Sequence, residues 1–216
     1  RLPPQHITRR NRESEAISVI CGVNLKGGVA KTSTINALAT ALAMRGYRIL
    51  AVDVDAQASL TSMMGITPEF EDDMLTLYDV IRYMDGPDDK AADIRDVVRK
   101  TYVPNLDLIP SNMNIIEFEH ETAGAPSGGG ALPFFQRVSA ALAPIQDDYD
   151  VILFDAPPQL TFVVLSAIFA SNALLIPVTA SMIDMMSLGS FLNITGTMMA
   201  QIENRIGGLN LDWTKY

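Results

Sequence analysis

Short apolar, β-branched runs punctuate the chain: Ala16–Val23, Tyr47–Asp55, Leu106–Ser111 and Val151–Asp155. Runs of this length without alternation predict strands buried on both faces, as in a parallel sheet. Between the first two, apolar residues at Ile35, Leu38, Ala39, Leu42 and Ala43 follow helical spacing. They predict a helix over Thr34–Arg45, closed by Gly46. Further helices are predicted over Met74–Ile81 and Ala91–Lys100, either side of a turn at Asp85–Asp88, and from Phe134 to about Ala143. Leu160–Ala180 is 21 residues without a charge, long enough for a membrane span. Ser171, Asn172 and Pro177 divide it into a helix and a strand, which removes that reading. The rhythm is β, α, β, and the fold class it predicts is α/β: a doubly wound, mostly parallel sheet.

Composition narrows the picture. At 216 residues and 48% hydrophobic content the chain suits one α/β domain with a sizeable core. A net charge of −9 and a pI near 4.6 argue against tight nucleic-acid binding by this polypeptide alone. Glu69–Asp96 holds ten acidic and three basic residues, read as a solvated acidic face. With Cys21 alone there is no disulfide framework, and a cytoplasmic setting is expected. Residues 1–15, with Arg1, Arg9, Arg10 and Arg12, read as a basic linker or a DNA-touching arm before a domain spanning 16–216. The chain starts at Arg1 and stops at Leu209–Tyr216, where another strand begins, so the domain is expected to be truncated and incomplete at its C-terminal end.

The chemistry gathers between the first strand and the first helix, at Asn24-Leu25-Lys26-Gly27-Gly28-Val29-Ala30-Lys31-Thr32-Ser33. A glycine turn feeding a helix N-terminus aims backbone N–H groups and the positive dipole end at one point, which suits phosphate. Lys31 is placed to reach the β- and γ-phosphates of a nucleotide, and the Thr32 hydroxyl to reach a Mg²⁺ ion bridging them. Leu25 and Ala30 stand where the ordinary phosphate-loop pattern has glycines. Gly124–Gly130 is glycine-rich too, but no strand immediately precedes it and no Lys-Thr follows, so it reads as a flexible loop. Asp53 and Asp55 close the second strand and Asp155 closes the fourth, at the carboxyl edge where open α/β sheets bind ligands.

Lys26-Gly27-Gly28-x-x-Lys31-Thr32 resembles the deviant phosphate loop of the ParA/MinD ATPases, a P-loop NTPase family. Asp53-x-Asp55-x-Gln57 and Asp155-Ala156-Pro157-Pro158 are similar to its other nucleotide motifs, and Pro177–Leu188 resembles the RepA branch that partitions repABC-type plasmids. The resemblance implies ATP and Mg²⁺ as cofactors, held by Lys26, Gly27, Gly28, Val29, Ala30, Lys31, Thr32 and Ser33. It makes Asp55 the residue that positions the attacking water and Lys26 a charge reaching the nucleotide of a second subunit. Thr32 and Asp155 are then the metal-side residues, and Asp53 either supports the Mg²⁺ shell or caps the next helix. Where this chain has Ala30, the family more often has Gly or Ser. Departures at Ala56, where the family usually has Pro, and at Gln159, where it usually has Ser, are further differences.

The same resemblance implies slow ATP hydrolysis switching a monomer to an ATP-bound homodimer, which serves plasmid or chromosome partition and can accompany autorepression. Partners implied are a ParB-type centromere-binding protein and non-specific DNA, through parts absent from this chain, with nucleoid association and no membrane. Alternatives are a MinD-like positioning ATPase at a membrane, and a non-hydrolysing nucleotide-dependent scaffold or repressor. A metal-cluster carrier of the same superfamily is disfavoured by the lone Cys21. Asp184, the one charge between Leu160 and Gln201, is read as a helix cap or a group at the nucleotide or dimer seam.

Overall fold

The computed structural model describes residues 17–68, 73–83, 91–124, 133–179 and 181–206. The basic arm, the glycine-rich stretch 125–130 and the final 209–216 run lie outside the described residues, as does the Asp184 side chain. In chain order the elements begin β1 (Ser18–Gly22), α1 (Lys31–Met44), β2 (Ile49–Asp53), α2 (Ser59–Met63), α3 (Leu77–Ile81) and α4 (Ile94–Val97). They continue with β3 (Arg99–Lys100), β4 (Leu106–Ile109), α5 (Ile115–Gly124), α6 (Phe134–Leu142), β5 (Val151–Asp155), α7 (Phe162–Phe169), β6 (Ala173–Leu175) and α8 (Met182–Ile206).

Among the described residues the strands form one six-stranded sheet in the order β3-β4-β2-β5-β1-β6. All neighbours are parallel except β3 and β4, which pair antiparallel. Every residue of β2 and of β4 is buried, as expected of strands covered on both faces. One face packs Ile35, Ala39 and Ala43 of α1 with Leu60 of α2 against Ile49, Ala51, Leu108 and Leu153. The other face packs Leu50, Val52, Ile152 and Phe154 against α3 to α8, including Phe118, Val138, Val164 and Phe191. This is a doubly wound sheet. Gly22 allows α1 to lie close, because a Cβ there would meet Ile35 Cδ1 at 2.8 Å.

The structure corrects several local expectations. The helix read over Ala91–Lys100 ends at Val97, and Arg99 and Lys100 instead pair with Leu108 and Asp107. The capping box of Thr76 and Asp79 confines the preceding helix to Leu77–Ile81. Helix α5 is not apparent from periodicity: its apolar residues lie at Ile115, Ile116 and Phe118, followed by a polar remainder. Helix α1 begins three residues earlier than its apolar spacing suggests, at Lys31 itself. Leu160–Ala180 does divide, into α7 and β6, with Asn172 bonded to Val19 of β1 and to Ile17 just before it. Among the described residues no helix is long and apolar enough to cross a membrane.

Candidate nucleotide site

The loop after β1 is shaped by side chain and backbone together. Asn24 is buried; its Oδ1 accepts from the Lys26 N–H at 2.9 Å and its Nδ2 donates to the Pro177 carbonyl at 2.8 Å. The loop is thereby tied to the chain leaving β6. Gly28 (φ 75°) and Ala30 (φ 61°, ψ 32°) both take left-handed backbone. For Ala30 that conformation is strained, since its Cβ crowds the following carbonyl. Ala30→Gly is therefore expected to stabilise the full-length protein by about 0.5–1 kcal/mol in denaturant unfolding. A loss of stability would show that the strain is absent.

No side chain caps α1, so its first-turn N–H groups have no acceptor from a capping residue. They end on a cavity of about 550 Å³ lined by Gly27, Gly28, Ala30, Lys31, Thr32 and Ser33. Lys31 is only 7% exposed and its Nζ donates to the Lys26 carbonyl at 3.2 Å. Burial lowers its pKa, while Asp155 and Asp55 oppose the shift. Asp55 and Gln57 line the cavity from the β2 side, Ala156 and Pro158 from the β5 side. Val29 is buried beneath the loop, and Lys26 is exposed on its shoulder, outside the cavity lining.

Two carboxylates stand side by side under this cavity, Asp53 and Asp155 being register partners on β2 and β5. They differ sharply. Asp53 is fully enclosed: one oxygen accepts from the Thr61 N–H (2.9 Å) and hydroxyl (2.8 Å), the other from the Asp55 N–H (3.1 Å). Those bonds tie Asp53 to Thr61 of α2 and hold the Asp55 loop. Burial pushes its pKa up to about 6 against the pull of those bonds. Asp155 is 1% exposed, and its oxygens lack a partner within ordinary hydrogen-bond geometry, the Thr32 hydroxyl being the neighbouring donor. Its pKa is pushed up to about 7, mostly by burial and secondarily by Asp53 and Asp55, while nearby Thr32 and Lys31 favour the charged form.

A buried, unpartnered carboxylate beside a threonine hydroxyl fits a magnesium ion that also takes phosphate oxygens and waters. Among the described residues no cluster of three or more His, Cys, Asp or Glu could hold a metal ion. Cys21 is buried, its thiol pushed up by burial and by Asp155, and so suited to the core. A second cavity, about 490 Å³, lies at the opposite edge of the sheet between Arg48, Lys100, Asp107 and Tyr149. There Asp107 accepts from Lys100 Nζ (2.7 Å) and Tyr149 OH (2.9 Å), a satisfied structural clamp.

The raised carboxylates give a pH prediction. With ordinary values near 3.9 in the unfolded chain, Asp53 and Asp155 bind more protons in the native state between about pH 4 and 7. Their contribution to stability is full below that window and is lost as pH rises through about 6 and then about 7. Thermal unfolding of the nucleotide-free full-length protein should show Tm falling across this range. Asp155→Asn should remove the upper part of the fall; an unchanged slope would contradict the assignment.

Motif reading missed Asn24, although a polar residue closing an apolar strand two positions before a turn N–H is an Asx-type signal. Ser62 and Met63, also at the cavity, carry no such signal because tertiary packing of α2 brings them there.

Residues 17–207 match the model of an AAA domain. A Rhizobium rhizogenes protein provisionally named replication protein A is 43% identical over 208 residues, covering 95% of this chain and 50% of its own length. The chain thus spans half the length of that relative. Cobyrinic acid a,c-diamide synthase from Mycobacterium smegmatis, solved with ADP and magnesium, has a TM-score of 0.72 at 26% identity, covering 87% of this chain and 69% of that one. The ATP complex of a Cyanothece McdA variant gives 0.72 at 26%, covering 90% and 66%. By its sequence and by the sheet that carries its phosphate loop, the chain belongs to the ParA-type AAA-domain family of P-loop ATPases.

Proposed function

We propose that the full-length protein is a Mg²⁺-dependent ATPase whose nucleotide state switches it between monomer and ATP-bound homodimer, in the service of plasmid or chromosome partition. The observation that carries this is the joint placement of uncapped α1 N–H groups, Lys31 and Asp55 on one cavity above the unpartnered Asp155. Gly27, Gly28, Ala30 and Ser33 offer backbone to the phosphates, with Val29 anchoring the loop from below. Lys31 neutralises phosphate charge, and Thr32 with Asp155 is the Mg²⁺-side pair. Mg²⁺, when bound, screens the charge of the phosphate oxygens. Asp53 orients Asp55 through the Asp55 N–H, and Asp55 orients the attacking water and takes up its proton.

Lys26 is exposed on the loop, which supports assigning it to the phosphates of a second copy, the task an arginine finger performs in other NTPases. A ParB-type centromere-binding protein and non-specific DNA are the proposed partners, the latter contacted through parts of the protein outside this acidic chain. Nucleoid association in the cytoplasm and autorepression of the operon belong to the same reading. The test is Mg-ATP binding, turnover and dimerisation of the full-length protein beside Lys31→Ala and Asp55→Ala. A Lys31→Ala protein that binds nucleotide like the parent would overturn it.

A further inference from the structure

The loop that leaves β5 faces the cavity with Ala156 and Pro158, directly after Asp155. Its near end is pinned to the sheet, the Ala156 N–H donating to the Gly22 carbonyl at 3.2 Å. Pro157 and Pro158 have no N–H to donate, and the far end of the loop is held at the start of α7. There the Glu119 carboxylate, on α5, accepts from the N–H groups of Phe162 (2.8 Å) and Val163 (3.0 Å), one oxygen each. The Thr161 hydroxyl accepts from Val164 at a long 3.4 Å, so the acid from α5 is the stronger cap. A side chain distant in sequence thus fixes where α7 begins, and with it the far end of the cavity loop. Helix α5 is itself anchored by Ile115 and Phe118 in the core.

We propose that Glu119 is a positioning residue for the nucleotide-facing loop Ala156–Thr161, acting through the N-terminus of α7; its consequence for turnover rests on the nucleotide reading above. Loss of the carboxylate leaves two charge-assisted bonds unmade at the start of α7, and the loop gains freedom beside Asp155. Glu121, two positions on and therefore on another side of α5, supplies a matched comparison. It accepts from the Tyr78 hydroxyl (2.7 Å) and the Tyr83 N–H (2.9 Å) and does not touch α7 through these bonds.

The experiment follows amide hydrogen exchange in the nucleotide-free full-length protein and in Glu119→Ala, Glu119→Gln and Glu121→Ala. Glu119→Ala is expected to speed exchange about tenfold over residues 156–166, and Glu121→Ala to leave that segment unchanged. Glu119→Gln, which keeps one acceptor oxygen, should fall between. Mg-ATP turnover should drop about tenfold in Glu119→Ala with ADP affinity held within about twofold, a kcat effect that general loss of stability does not produce. Equal acceleration in Glu119→Ala and Glu121→Ala, or turnover untouched in Glu119→Ala, overturns the proposal. A wild-type protein that binds no nucleotide refutes the function proposed above, while the exchange result alone still decides whether Glu119 positions the loop.

Discussion

Lys31→Ala is expected to lower affinity for Mg-ATP by about 100-fold or more in the full-length protein, measured by titration calorimetry. The ammonium is buried at the head of α1, against the cavity, and its charge-assisted bonds to phosphate would contribute about 3 kcal/mol. The apo fold should survive the change. In the native state burial already disfavours the charged amine, and its hydrogen bond to the Lys26 carbonyl, at 3.2 Å, is long. Alanine is also the best helix former for a first-turn position. An unchanged Tm together with lost binding separates a phosphate ligand from a structural lysine. Retained binding would remove the basis of the site.

The second large effect is expected at Asp55. Asp55→Ala should reduce turnover by about 10²–10⁴-fold, the usual range for removing a positioned proton acceptor, with ATP affinity changed only a few-fold. ATP-bound dimer should then accumulate, seen by light scattering. Alanine also removes the bond from the Gln57 N–H to Asp55 Oδ1 at 2.9 Å, so loop geometry could confound the result. Asp55→Asn resolves this, because its amide oxygen keeps the turn while the charge is gone. If Asn restores turnover, Asp55 acts through the turn and not on the water.

The difference between Asp53 and Asp155 explains how far the sequence could be read. Both are acids at the end of apolar strands, and spacing alone gives both the same candidate roles. Only the fold shows that Thr61, eight residues on, donates twice to Asp53 while Asp155 keeps both oxygens open. Strong local signals were legible in the same way throughout. The buried strands and the glycine loop announce themselves by composition, and α7 and β6 are parted by Ser171 and Asn172, a break visible in the sequence. What was not legible depends on contacts between distant segments. Helix α5 buries two residues, Ile115 and Phe118, in a single turn, leaving no period to detect. Likewise Arg99 and Lys100 are helix formers by propensity, and they become strand only because β4 offers an edge. Ala30 shows the reverse case: its departure from glycine was visible, but its cost depends on a φ of 61° that only the folded loop reveals.

The central claim is that the cavity above Asp155 is where Mg-ATP binds. Hydrogen exchange of the full-length protein with and without Mg-ATP locates it directly. Slowed exchange over residues 26–34, with a smaller effect at 155–158, is the predicted result. Protection around Arg48, Lys100 and Tyr149 at the opposite edge of the sheet, with the loop at 26–34 unaffected, would contradict it.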